Sequence, residues 1–166
     1  MQQVSITYKI NPPDPKDPVT IFNVGQAFYL AGHRCALSIS VGPGVEQRFP
    51  GPAVTNFCFS MELLLKALLF STGKKIPKNH KLKQLFERID KDSREEIRKM
   101  YESEIQDPTL NDSLSEISDY FVQIRYEHEF DFFCFYDYHI KTLSECIYKY
   151  CAKHVDSQCK VESINL

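Results

Sequence analysis

The chain has 166 residues, 43% of them hydrophobic and 25% charged, with 20 Lys or Arg against 22 Asp or Glu. This composition suits one globular domain and excludes a disordered chain or a fibrous repeat. A formal net charge of −2 selects no class of partner by itself.

The N-terminal stretch MQQVSITYKINPPDPKDP lacks a basic start followed by an apolar core, so no signal peptide is expected and the protein is assigned to the cytoplasm. In that reducing compartment the six cysteines are expected to be free thiols. Residues 1–19 alternate Val4, Ile6, Tyr8 and Ile10 and then reach NPPDPKDP, a pattern that predicts an extended arm. From about Ile21 the spacing of Val24, Phe28, Ala31, Cys35 and Ile39 predicts a first helix, closed by the loop VGPGVEQRFPGP. The second helix, about Ala53 to Thr72, is apolar nearly all round and should be central and buried, with Gly73 ending it. It is the longest weakly charged stretch, but Glu62 and Lys66 interrupt it, so no membrane span is expected. These two are four apart, acid first, which favours pairing on one stripe.

A third helix follows IPKNH with Leu82, Leu85, Phe86 and Ile89 on one side, and His80 is expected to cap or pack at its head. Ser93 with Glu96 suggests a capping box for a short helix, and Ser113 with Glu116 suggests another for a helix running to about Phe130. The last helix spans roughly Tyr136 to His154, with His139, Leu143, Cys146, Ile147 and Tyr150 as its stripe, and residues 156–166 form a polar tail. The prediction is an all-α, antiparallel up-and-down bundle of about five helices over residues 20–155, with no sheet.

Within the stretch VQIRYEHEF the stripe Leu114, Ile117, Phe121 and Ile124 continues onto His128, and Arg125 lies roughly sixty degrees away by helical geometry. Both therefore point inward or along an interface, where an arginine and an imidazole need partners. The structural alternative pairs Arg125 with Glu62 and lets His128 cap the core. The functional alternative has Arg125 steady a phosphate while His128 moves a proton. Charge is distributed unevenly: residues 74–99 hold ten Lys or Arg against five Asp or Glu, whereas residues 100–131 hold one against nine. Lys74, Lys75, Lys78, Lys81 and Lys83 are accordingly the candidates for contact with RNA phosphates. The aromatic run FDFFCFYDY is assigned to core or interface packing because its acidic neighbours would repel a phosphate backbone. Cys146, Cys151, His154 and Cys159 lack the close cysteine pair of structural zinc sites, and no metal or cofactor is expected. The sequence also lacks a Gly-rich phosphate loop and a nucleophile elbow.

The run FSMELLLKALLFSTGKKIPKNHKLKQLFERI resembles the paired central helices of the HEPN superfamily, named for higher eukaryotes and prokaryotes nucleotide-binding. The resemblance is carried by Glu62, Leu65-Lys66-Ala67-Leu68, Gly73, and His80 with Leu82 and Leu85, while Arg125-Tyr126 resembles the arginine-bearing helix. It implies a bundle that dimerises, with the arginine helices facing one another and with Glu62, Lys66 and Tyr126 in support. Catalytic members are metal-independent endoribonucleases of toxin-antitoxin, phage-defence and RNA-processing systems, whose arginine is followed by four to six residues and then a histidine. Here that window holds Phe130, Asp131 and Phe132, and His128 comes too soon. The resemblance thus implies an RNA-associated or regulatory module of a bacterial defence or toxin-antitoxin system, working as a homodimer with RNA or a cognate antitoxin. The alternatives are an active endoribonuclease using Arg125 and His128, and a noncatalytic protein-interaction scaffold.

Overall fold

A computed structural model describes residues 17–78, 80–118, 120–124 and 137–155. The expected N-terminal arm, most of VQIRYEHEF and the C-terminal tail therefore lie outside the described residues, Arg125, Tyr126 and His128 among them. The described residues form an all-α bundle with one small hairpin.

Helix α1 (Pro18–Ala36) starts where Asp17 accepts hydrogen bonds from the Val19 and Thr20 amides at 3.2 and 3.0 Å, with proline in the first turn. Its buried face is Phe22, Gly25, Tyr29 and Gly32 rather than the expected stripe, and Val24 is exposed. Hydropathy alone points to Val24, Phe28 and Ala31. The close approach of another helix selects the glycine side instead. A Cβ on Gly25 would lie 3.1 Å from Leu64, and one on Gly32 would lie 2.8 Å from the Phe57 ring. The two contacts run in opposite chain order, so α1 is antiparallel to α2 (Pro50–Ser71).

The connection between them is not a plain loop. Strands β1 (Ile39–Gly42) and β2 (Val45–Gln47) pair antiparallel, Ile39 opposite Gln47 and Ser40 opposite Glu46, with a register shift before Gly42. Gly44 turns the hairpin at φ 71°, a conformation glycine adopts without a Cβ clash. The absence of a sheet and a first helix reaching Ile39 are thus corrected: α1 stops at Ala36, and the Val41-Gly42-Pro43-Gly44-Val45 run folds into a ribbon.

Helix α2 is the centre of the bundle, with Met61, Leu64, Leu65, Ala67 and Leu69 sealed from solvent. By length and composition it could cross a membrane, yet two-thirds of that window (67%) is buried inside the protein, as a core helix requires. Gly73, at φ 71°, follows its last turn. Helix α3 (Leu82–Arg88) begins after Lys81, whose side chain gives no cap. The free amide of Lys83 instead donates to Ser118 Oγ at 3.0 Å, while Lys83 Nζ donates to Ser115 Oγ at 2.9 Å. Ser115 lies in α5 (Leu110–Ile117) and Ser118 is its C-cap, so the end of α5 caps the start of α3. Ser118→Ala is expected to cost about 1 kcal/mol, seen as a lower urea midpoint at unchanged slope.

Two expected capping boxes are displaced, by three and four residues. Helix α4 (Lys91–Glu104) is capped by Asp90, which accepts from the Ser93 amide at 2.8 Å, and α5 is capped by Thr109. Ser93 and Ser113 lie within the first turn, both buried, and bond to Tyr150 and Tyr101 hydroxyls at 2.7 Å each. A serine that looks like a surface cap is in each case a buried hydroxyl partner. Helix α5 ends at Ile117 and the short α6 (Tyr120–Gln123) is a separate element, where a single helix is expected. Leu114, Ile117 and Ile124 are buried as their spacing predicts.

Helix α7 (Asp137–His154) lies against α1, α2 and α4, presenting Ile140, Leu143, Cys146, Ile147, Tyr150 and Cys151 inward, whereas His139 is half-buried. Tyr148 stacks on Tyr29 at 4.3 Å between ring centroids and accepts a 2.8 Å hydrogen bond from Gln26 Nε2. The four described cysteines, Cys35, Cys58, Cys146 and Cys151, are free thiols. Burial pushes the Cys58 thiol up to about 12 and the Cys146 thiol to about 11, so both behave as apolar groups.

Candidate functional site

Glu62 sits midway along α2 with its side chain 8% exposed, a costly place for a carboxylate unless it is paired. Lys66, one turn later and 15% exposed, donates from Nζ to Glu62 Oε1 at 2.6 Å. His80 Nδ1 meets the same oxygen at 2.8 Å, although its side chain is 67% exposed. The connection after α2 therefore turns back along the helix by about 13 Å, the rise of the nine residue steps from Glu62 to Ser71. This corrects the assignment of His80 as a cap of α3. Lys81 occupies that position, and the imidazole faces the buried acid instead. Among the described residues Glu62 is thus partnered by Lys66 and His80, while Arg125, its expected counter-ion, lies outside them.

The five candidate lysines divide into two groups. Lys74 Nζ donates to the Arg88 carbonyl at 2.9 Å, a cation set on the C-terminal end of α3, and Lys83 is tied to Ser115. Lys75 and Lys78 instead line an open depression of about 480 Å³ together with Ile76, Pro77 and Arg88. No acidic side chain is among these lining residues. Lys81 is exposed on the same connection. Arg88 was not singled out by its sequence, because only the fold of α3 brings it back to Lys75 and Lys78. His80 follows Lys78 by two residues, so the basic face and the buried acid are joined by one short segment.

A model of the HEPN domain matches residues 52–156, well over half of the chain. The chain belongs to the HEPN family. No curated protein and no solved structure matches it. The HEPN match opens within α2 and runs through α7, leaving α1 and the hairpin outside, although α1 packs along the length of α2. Glu62, Lys66, His80 and the basic connection all fall inside the matched span, as do Arg125 and His128.

A different histidine, His33, lies half-buried in the last turn of α1 of this HEPN bundle. Its ring meets Tyr29 and Phe57 edge-on at 4.4 and 5.2 Å between centroids. Its Nε2 is buried with no hydrogen-bond partner among the described residues. Burial lowers its pKa below the usual histidine value, Lys141 adds to the shift, and Glu145 opposes it. The folded state therefore prefers neutral His33. Its contribution is fully present above about pH 6.5 and is lost as pH falls below that value toward the depressed folded pKa. His33→Phe is expected to flatten this part of the profile, so that between pH 7.5 and 5.5 the melting temperature falls more for the wild type than for the variant.

Proposed function

We propose that this HEPN chain is an RNA-associated module that holds the sugar-phosphate backbone of a single strand against the Lys75, Lys78 and Arg88 depression. The observation that carries this is the convergence of those three cations on one open surface that no acid lines among the described residues. Phosphate contacts set the affinity of such a surface and make it salt-dependent, without selecting a sequence. Ile76 and Pro77 give the depression an apolar floor suited to a sugar or base edge. Lys81 extends the basic face, and Lys74 and Lys83 shape it through their bonds to α3 and α5.

The test is fluorescence anisotropy of a labelled mixed-sequence single-stranded RNA with the full chain. Three phosphate contacts predict a loss of affinity of about twentyfold between 50 and 200 mM salt. The Lys75→Glu, Lys78→Glu double variant is expected to weaken binding at least tenfold and to flatten the salt slope. Wild-type binding that ignores both salt and the double variant would overturn this reading in favour of a protein-interaction scaffold.

A further inference from the structure

A cavity of about 250 Å³ opens where the C-terminal end of α1, the N-terminal end of α2 and the first residues of α7 meet. Its floor is apolar, with Ala53, Val54 and Phe57 each at most 3% exposed. The floor is also fixed. Phe57 is held by the notch at Gly32, where a Cβ would lie 2.8 Å from its ring, and by the His33 ring edge-on at 5.2 Å between centroids. Cys35 and Ala36 form one wall. The apolar surface is thus in place before anything binds, which lowers the entropic cost of recognition.

Two cations complete the lining, Arg48 just after β2 and Lys141 on α7, and no acid lines the cavity among the described residues. Arg48 Nη2 already donates to Glu46 at 3.0 Å, outside the lining, and the charges of that pair cancel. Lys141 supplies the one uncompensated charge, while the guanidinium keeps donors beyond the one that Glu46 uses. A phosphate monoester, at about −1.5 to −2, exceeds that charge, whereas a carboxylate matches it. Volume bounds the rest of the ligand. A cavity of about 150 Å³ takes up benzene, which leaves roughly 100 Å³ here for a short chain and its carboxylate. We propose that this cavity binds a small monocarboxylic acid with a compact apolar body, such as one ring on a two-carbon link. The body lies on Val54 and Phe57, and the carboxylate accepts from Lys141 Nζ and the remaining N–H groups of Arg48. Cys35, Ala36 and Arg48 precede residue 52, where the HEPN match opens, so this site is built partly from residues outside the family's span. It shares no lining residue with the lysine depression and is independent of the RNA-binding reading.

The experiment uses the full chain with 3-phenylpropanoate as probe. Binding is read by titration calorimetry and by the rate at which iodoacetamide alkylates Cys35, followed on its peptide by mass spectrometry. Cys35 lines the cavity and is half-buried, whereas Cys58, Cys146 and Cys151 are buried. The acid is expected to bind with a Kd on the order of 1 mM or tighter and, at saturation, to slow alkylation of Cys35 severalfold. The neutral 3-phenylpropanamide should bind about tenfold more weakly, the loss of one charge-assisted hydrogen bond. Lys141→Gln should weaken the acid by about the same factor and leave the amide unaffected, which separates recognition of charge from general damage. Ala36→Trp, at an exposed position, should fill the cavity and abolish binding with the melting temperature unchanged. No binding by wild type, equal affinity for acid and amide, or acid binding that ignores Lys141→Gln overturns the proposal. Tighter binding of phenyl phosphate than of 3-phenylpropanoate overturns the monocarboxylate as its ligand. Binding that leaves Cys35 alkylation unchanged places the acid elsewhere and overturns the site.

Discussion

Glu62→Ala is expected to lower the free energy of unfolding by about 3 kcal/mol, a fall in melting temperature of roughly 6 to 12 °C for a chain of this size. The cause is the group left behind. Lys66 is only 15% exposed, and its 2.6 Å bond to Glu62 is the one hydrogen bond recorded for its ammonium among the described residues. Without the carboxylate the cation stays against the apolar side of α2 or drags its stem outward, and either outcome costs packing or desolvation. His80→Asn removes the other contact of the same oxygen but from an exposed ring, so its cost is expected below about 0.5 kcal/mol. Thermal melts of the two variants separate these effects. Equal, small shifts for both would show that the acid is not needed to keep Lys66 in place, and the buried pair would lose its structural role.

Gly32→Leu is expected to be at least as damaging, with a loss of about 3 kcal/mol or more. Even a methyl group there would meet the Phe57 ring at 2.8 Å, and Phe57 is 2% exposed with His33 and Tyr29 against it, leaving the ring nowhere to retreat. Gly25 provides the internal control. Its added Cβ would meet the flexible end of Leu64 at 3.1 Å. For Gly25→Ala the helix-propensity gain of about 1 kcal/mol is expected to offset that crowding, whereas Gly32→Ala should still destabilise by about 1 to 3 kcal/mol. Urea titrations that rank the two alanine variants equally would contradict the close α1–α2 approach at Gly32.

Much of the core was legible because burial follows apolar spacing where one helix face meets one neighbour. Leu82, Leu85, Phe86 and Ile89 point inward as their period predicts, and so do Leu143, Cys146, Ile147 and Tyr150. The family was legible for a related reason: Glu62, Lys66, His80 and the leucines around them occupy a span with strong local character, and the HEPN match covers it. The caps were misplaced because Ser-x-x-Glu is a short pattern and Asp90 and Thr109, three and four residues upstream of the two serines, start each helix about one turn earlier by capping the Ser93 and Asp112 amides. Local sequence cannot tell a serine that caps a helix from one that a distant tyrosine hydroxyl will bury.

The sequence by itself determined that the chain folds as an α-helical bundle around one nearly all-apolar helix, that this helix carries a single acid-first charge pair, and that a basic run follows it. These depend on residue type and spacing along one strand of chain, which hydrophobic periodicity and helix geometry fix locally. Tertiary structure decided which face of α1 is inside, because two glycines admit α2 more closely than any larger residue would. It also decided that His80 meets Glu62 and that Arg88 joins Lys75 and Lys78. Those contacts depend on how far the chain turns back after Gly73 and on where α3 docks, and both are set by packing between segments that no local pattern encodes.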